Sequence, residues 1–125
     1  MGSAAAPRTA VRDQHVRYEH TATLLLNGAV LIAGGFNFTA GPLSDAEVYN
    51  PRTGKWLLTA PMRRPRHGHS ATLLANGKVL VTGGVIDNPG TVTSSAEVYD
   101  PHIGQWTLIA PMLHPRTGQT ATLLA

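Results

Sequence analysis

Arg17-Tyr-Glu-His-Thr-Ala-Thr-Leu-Leu-Leu-Asn-Gly-Ala-Val-Leu-Ile-Ala-Gly-Gly35 returns 49 residues later as Arg66-His-Gly-His-Ser-Ala-Thr-Leu-Leu-Ala-Asn-Gly-Lys-Val-Leu-Val-Thr-Gly-Gly84. Ala46-Glu-Val-Tyr-Asn-Pro51 returns 50 residues later as Ala96-Glu-Val-Tyr-Asp-Pro101. Each copy then carries a Trp, at 56 and 106, and an Ala-Pro-Met at 60–62 and 110–112. A third copy begins at Arg116 and runs to Ala125. Self-similarity at such a period means stacked supersecondary units, each with an apolar face that a neighbour must cover.

Each copy reads as four short strands and no helix, because no segment keeps an apolar period of 3.6 for more than two turns. Residues 21–26 and 70–75 lead into Asn27-Gly28 and Asn76-Gly77, a dipeptide that supplies the two positive φ angles of a two-residue type I′ hairpin. The second strands, 29–33 and 78–82, are apolar runs suited to cover on both faces. They end at Gly34-Gly35 and Gly83-Gly84, where backbones approach closely or take conformations closed to other residues. Third strands are expected at 46–49 and 96–99, then Asn-Pro and Asp-Pro turns with Gly54 and Gly104, then fourth strands at 55–59 and 105–109. Pro61 and Pro111 close the fourth strands, as suits an outer edge with no partner on one side.

Four-stranded units at this period, with a Gly-Gly doublet and then Tyr49 to Trp56 and Tyr99 to Trp106 at one spacing, resemble the kelch repeat. The resemblance covers residues 17–125, and the Thr-Leu-Leu runs before Asn-Gly are similar to bacterial kelch and galactose-oxidase-like repeats. It implies an all-β fold of kelch-type β-propeller blades, each a four-stranded antiparallel sheet. In that family the first strand lines the central channel and the fourth lies at the rim. The expected organisation is an N-terminal arm at 1–14, blades at 15–64 and 65–114, and the first strand of a third blade at 115–125. Closed propellers use about four to eight blades, so this is an incomplete propeller. Three sources fit: a piece of a longer propeller, a chain that rebuilds a ring by self-association, or an open miniature. The stop at Leu124-Ala125, where the second copy continues into Asn76-Gly77, leads us to expect a piece, and Met1 to Ala6 reads as a cloning remnant. The expected partner is either the rest of a longer propeller or further copies of this chain, a trimer of two-blade chains supplying six blades, although the surplus strand at 120–125 would duplicate the first strand of the next chain.

Composition narrows the function. Of 125 residues, 42% are hydrophobic and 14% charged, a globular balance, and the 13 Gly and 9 Pro imply many turns. The net charge of +3 is a mild excess carried mostly by Arg, without the basic clusters and stacking aromatics of a nucleic-acid binder. No apolar run reaches the roughly 18 residues of a membrane helix. With no Cys there is no disulfide, thiolate metal site or Cys nucleophile. The resemblance implies an extracellular or periplasmic location.

Polar residues that recur in every copy are expected to be structural. Arg17, Arg66 and Arg116 are equivalent, as are Glu47 and Glu97, and Arg–carboxylate pairs within the blades account for both sets. Gly34, Gly35, Gly83, Gly84, Tyr49, Trp56, Tyr99 and Trp106 likewise belong to the repeat, the aromatics as packing between sheets, with Met62 and Met112 at the blade junctions. His20 and His69 are equivalent and Gln119 takes the third position, so the site asks for a hydrogen bond more than for a metal. His67 and His69, two apart, would share a strand face, as some metal pairs do. No nucleophile elbow, phosphate loop or zinc helix motif occurs, and the copper cofactor of galactose oxidase, which needs a Cys-modified Tyr, cannot be made from these residues.

Recognition is expected where the copies differ, since loops on a rigid scaffold carry it. The loop between strands two and three is Phe36-Asn-Phe-Thr-Ala-Gly-Pro-Leu43 in one blade and Val85-Ile-Asp-Asn-Pro-Gly-Thr-Val-Thr93 in the other. In kelch proteins these loops share a face with the connections between blades, here 63–67 and 113–117. Candidate binding residues are Phe36, Phe38, Arg63, Arg64, His67, Asp87, Asn88 and His114. The excess of base on that face favours an acidic peptide or anionic glycan. Asn37-Phe38-Thr39 also fits a glycosylation acceptor. The expected function is a non-catalytic binding scaffold with no cofactor, taking a protein or glycan ligand, with no nucleic acid or membrane partner. The alternatives are a piece of a galactose-oxidase-like carbohydrate-active enzyme and an engineered or excised fragment that self-assembles into a propeller.

Overall fold

A computed structural model of the chain describes residues 17, 19–87 and 90–115. The N-terminal arm, Asn88, Arg116, Gln119 and the expected third-blade strand after Pro115 lie outside the described residues. Two four-stranded antiparallel sheets make up the fold, with no helix among the described residues. The first sheet orders β1 (Thr21–Leu24), β2 (Val30–Ala33), β5 (Ala46–Asn50) and β6 (Lys55–Thr59). The second orders β7 (Ser70–Leu73), β8 (Val79–Thr82), β9 (Ala96–Asp100) and β10 (Gln105–Ile109). Between β2 and β5 the chain adds a miniature hairpin, β3 (Phe36–Asn37) with β4 (Gly41–Pro42), that the sequence did not announce. The sheets lie face against face with β1 beside β7, so the two inner strands are neighbours.

The hairpins differ from the expected two-residue type. Gly28 and Gly77 have φ of 88°, but neither Asn27 nor Asn76 adopts positive φ. Gly28 N donates to Leu25 O and Leu25 N donates to Ala29 O, which makes Leu26-Asn27-Gly28 a three-residue loop. Its form is a type I turn followed by a left-handed glycine. The Asn27 carboxamide oxygen accepts from Ala29 N, and Asn76 does the same for Lys78 N. An Asn that satisfies the turn through its side chain has no need of the left-handed region. The strands are accordingly shorter than expected, ending at Leu24 and Leu73.

Which side chains are buried alternates with the pleat and reverses between sheets. In β2, Leu31 and Ala33 are buried while Val30 and Ile32 are half-buried. In β8 the buried residues are Val79 and Val81, the equivalents of Val30 and Ile32, while Leu80 and Thr82 are half-buried. Successive strand residues point to opposite faces, so the first sheet buries its trailing face and the second its leading face, each against the other. The expectation of cover on both faces thus holds on one face of each blade. The shared core is Leu25, Leu31, Ala33, Ala46 and Met62 from one blade with Val79, Val81, Tyr99 and Trp106 from the other, Met62 sitting at the junction as expected.

Candidate functional site

The junction between the blades accounts for most of the repeated polar residues. Arg66 and Glu97 are both fully buried and pair at 2.8 Å. Arg66 also donates to Gly83 O, Ser95 O and Ser95 Oγ. Glu97 spends its two oxygens on Arg66 and on the backbone amides of Arg63 and Arg64, at 2.7 and 3.0 Å. A carboxylate so engaged fastens the connection between blades to the second sheet. Burial pulls the Arg66 pKa down, and the adjacent Glu97 carboxylate opposes that shift. The first blade repeats the pair with Arg17 and Glu47 at 2.9 Å, and Arg17 donates to Gly34 O as Arg66 does to Gly83 O.

The aromatic pair of the second blade completes the junction. Tyr99 and Trp106 are cross-strand partners with ring centroids 4.9 Å apart, and both are buried. The Trp106 indole donates to Ala60 O, and the Tyr99 hydroxyl lies 2.7 Å from the Thr59 hydroxyl, so both polar tips are satisfied on the first blade. Tyr49 and Trp56 form the same pair at 4.7 Å and are half-buried.

His69 also belongs to the junction. Its Nε2 lies 3.1 Å from Ala33 O and 3.0 Å from Thr21 Oγ1, which makes Nε2 the protonated nitrogen, because a carbonyl only accepts. Nδ1 has no hydrogen-bond partner among the described residues. Burial, aided by the Arg66 charge, pushes the pKa down to about 4. The ring lies over Gly34, where an added Cβ would come 2.7 Å from the imidazole and 2.5 Å from Arg66 O. That close approach is why Gly34 must be glycine. His67 and His69 do not form the expected shared face, because Gly68 at φ 66° interrupts the alternation between them. Instead His67 Nδ1 meets Glu19 at 2.6 Å, and its ring packs on Phe36 at 5.0 Å. Among the described residues no three His, Asp or Glu side chains are grouped to hold a metal.

The variable loops lie at the end of the sheets where the blades are connected. Gly35 N donates to Arg66 O, Arg66 N to Leu43 O, and His67 pairs with Val85 in an isolated bridge. Loop 36–43, the described residues 85–87 and 90–93 of the second loop and the connection 63–67 are therefore laced into one surface. On it Phe38 is 82% exposed and meets Phe36 edge-on at 5.4 Å, while Arg63, Arg64 and Asp87 are exposed. Asp87 Oδ1 accepts from Gly90 N and Thr91 N; these bonds, that of Thr91 foremost, hold its pKa below the usual value and commit that oxygen to the loop. Asn37 is buried, and its carboxamide oxygen accepts from Thr39 N and Ala40 N, so it builds the β3–β4 turn and does not present a glycosylation acceptor. His114 is exposed on the connection leaving the second blade. At the opposite end, Leu26, Asn27, Asn76, Gly77, Asp100 and His102 line a groove between the hairpin tips. No polar candidate was foreseen there, because those residues read as turn formers.

Stacked four-stranded antiparallel sheets with adjacent inner strands and an aromatic pair between them define β-propeller blades. The Kelch motif matches residues 17–63 and 65–113, most of the chain, and the protein belongs to the kelch-repeat family. No curated protein matches the chain. Among solved structures it is similar to a novel fungal alcohol oxidase of the AA5 family in complex with copper. The identity is 26% and the TM-score 0.62, over 74% of this chain and 18% of that one. It is also similar in fold to YjhT, with 20% identity and a TM-score of 0.70, over 82% of this chain and 40% of that one. The chain thus spans less than half the length of either. The two sheets do not close on themselves, so the propeller is incomplete.

Proposed function

We propose that this chain is a non-catalytic kelch scaffold segment that recognises a protein or glycan through the loop surface of 36–43, 63–67 and 85–93. The observation that carries the reading is the exposed Phe38 on the loop 36–43 together with the exposed Arg63 and Arg64 on the connection between blades, in segments whose content differs between otherwise matching blades. The junction already employs the repeated Arg, Glu, Tyr and Trp side chains, which leaves the unshared loops as the part free to vary with a ligand. An exposed apolar ring and two exposed Arg side chains on one end of the blades suit an acidic peptide or an anionic glycan, which Arg recognises through paired hydrogen bonds. His114 extends the same basic end. The test is retention on immobilised polyglutamate and on heparin, for the parent chain and for a Phe38→Ala, Arg63→Ala, Arg64→Ala variant. Salt-sensitive retention lost in the variant supports the reading; equal retention of both overturns it.

A second reading follows from the likeness to the AA5 alcohol oxidase: these blades are a part of a galactose-oxidase-like enzyme whose reacting groups lie on other blades. Copper-dependent oxygen consumption with galactose or a primary alcohol, given by a longer protein that contains these blades, would favour it over the scaffold.

A further inference from the structure

One pair of side chains at the loop end of the junction breaks the match between the repeats. Glu19 stands where the other two copies have Gly68 and Gly118, and His67 stands where they have Tyr18 and Thr117. The backbone accounts for the glycines. Gly68 has φ of 66°, and Glu19 holds the same left-handed conformation at φ 57°, the one non-glycine residue to do so among the described residues. A side chain at that position strains the backbone. What offsets the strain is small, because the Glu19 side chain is 60% exposed and its contact with His67 Nδ1, at 2.6 Å, is largely screened by water. Nor do the blades need this pair to stay joined here, since Gly68 N donates to Glu19 O and His67 exchanges backbone bonds with Val85 whatever the side chains are. A strained residue that stability does not call for is of the kind that function retains.

We propose that Glu19 and His67 bind the ring hydroxyls of an acidic glycan, with the apolar face of the sugar lying against Phe38. The inference rests on the loop surface being the recognition face, and it selects the glycan over the peptide. A carboxylate only accepts, so His67 Nδ1 carries the proton that it donates to Glu19 Oε1. Glu19 Oε2 then accepts from one ligand hydroxyl and His67 Nε2 bonds to a neighbouring one, the two groups being held side by side by their own contact. The apolar half of the subsite is continuous with them. The His67 ring packs on Phe36 at 5.0 Å, and Phe36 meets Phe38, 82% exposed, edge-on at 5.4 Å. Vicinal hydroxyls on a ring with an apolar C–H face match both halves at once. The carboxylates of such a glycan fall to Arg63 and Arg64, on the connection that runs into His67. An acidic peptide offers the subsite further carboxylates, which Glu19 repels.

Salt elution of the full chain from immobilised polyglutamate and from immobilised alginate tests this, because both polymers carry one carboxylate per unit and only alginate carries ring hydroxyls. The parent chain is expected to leave alginate at a higher salt concentration than polyglutamate. In Glu19→Gly and in His67→Phe, which keeps a ring on Phe36, the two elution points are expected to coincide. Removing the Glu19 charge would by itself strengthen retention on both polyanions, so a loss confined to alginate is not an effect of net charge. Glu19→Gly is also expected to melt no lower than the parent, since glycine relieves the left-handed strain. A retained parent that leaves both columns at the same salt concentration, variants that keep the preference for alginate, or a Glu19→Gly chain that melts clearly below the parent would each overturn the proposal. The first of these leaves the wider reading of the loop surface standing, with an acidic peptide as its ligand, whereas a parent retained by neither column overturns both.

Discussion

The two blades carry nearly the same sequence and occupy different environments. Trp106 is 3% exposed and donates to Ala60 O, whereas Trp56, at the equivalent position, is half-buried. Val79 and Val81 are fully buried, whereas Val30 and Ile32 are half-buried. His69 is buried with its pKa down at about 4, whereas His20 is exposed and is shifted in the same direction, first by desolvation and then by Arg17. Equal side chains thus have unequal surroundings because the leading face of blade 2 has a blade before it. A repeat of this kind is stabilised by its neighbour as much as by its own strands.

The comparison breaks most sharply at the aromatic pair. Trp106→Ala is expected to cost about 3 to 5 kcal/mol, the range for removing a buried aromatic, and Trp56→Ala clearly less, both read from urea denaturation midpoints. Equal losses would mean that the two aromatic sites are equally covered. Breaking the buried ion pair with Glu97→Ala should cost a comparable ~3 to 5 kcal/mol, because it strands a buried guanidinium. Gly34→Ala is expected to cost at least ~2 kcal/mol, from a left-handed φ of 70° and a Cβ 2.5 Å from a backbone oxygen.

A pH effect of similar or slightly smaller size belongs to His69. Its folded pKa, about 4, lies below the 6.5 of the unfolded chain, so the unfolded state binds the proton more readily. The neutral ring's contribution is fully present above pH 6.5 and is lost progressively as pH falls toward 4. The loss amounts to roughly 3 kcal/mol at its full extent. His69→Gln, the residue the third copy has at 119, should flatten the dependence between pH 6.5 and 4, measured as the melting temperature against pH. His20→Gln should change that slope much less. A slope unchanged by His69→Gln would contradict the placement of the ring.

The smallest difference is expected at the hairpins. Gly28 and Gly77 both have φ of 88°, but an added Cβ meets nothing within 4 Å at Gly28 and lies 3.0 Å from Leu26 Cδ1 at Gly77. Each Gly→Ala change should cost about 1 kcal/mol for the backbone. Gly77→Ala adds at most a few tenths, because a leucine methyl can move aside.

Period, strand order and the pairing of repeated Arg with repeated Glu were legible in the sequence, because a side chain present in every copy must serve every copy. The hairpin type was not. Asn-Gly is compatible with both two- and three-residue loops, and the choice depends on whether the Asn carboxamide reaches the following amide, as Asn27 does at 2.9 Å. The alternation of His67 and His69 was misjudged for a related reason, since Gly68 at φ 66° turns the chain before β7 begins. At the loop surface, residue types pointed to Phe36, Phe38, Arg63 and Arg64. The commitment of Asp87 and Asn37 to their own turns emerged only with the backbone geometry.

The most direct test asks whether the blades are separate folding units or one. In urea, the single-tryptophan variants Trp56→Phe and Trp106→Phe each report one blade by fluorescence, since each blade holds one tryptophan. Because the shared core and the Arg66–Glu97 tether both depend on the junction, both variants are predicted to show the unfolding of both blades in one transition. The fluorescence midpoint of each should coincide with its circular dichroism midpoint. Fluorescence midpoints that depart from the circular dichroism transition in either variant, with one blade still folded after the other has melted, would contradict the account.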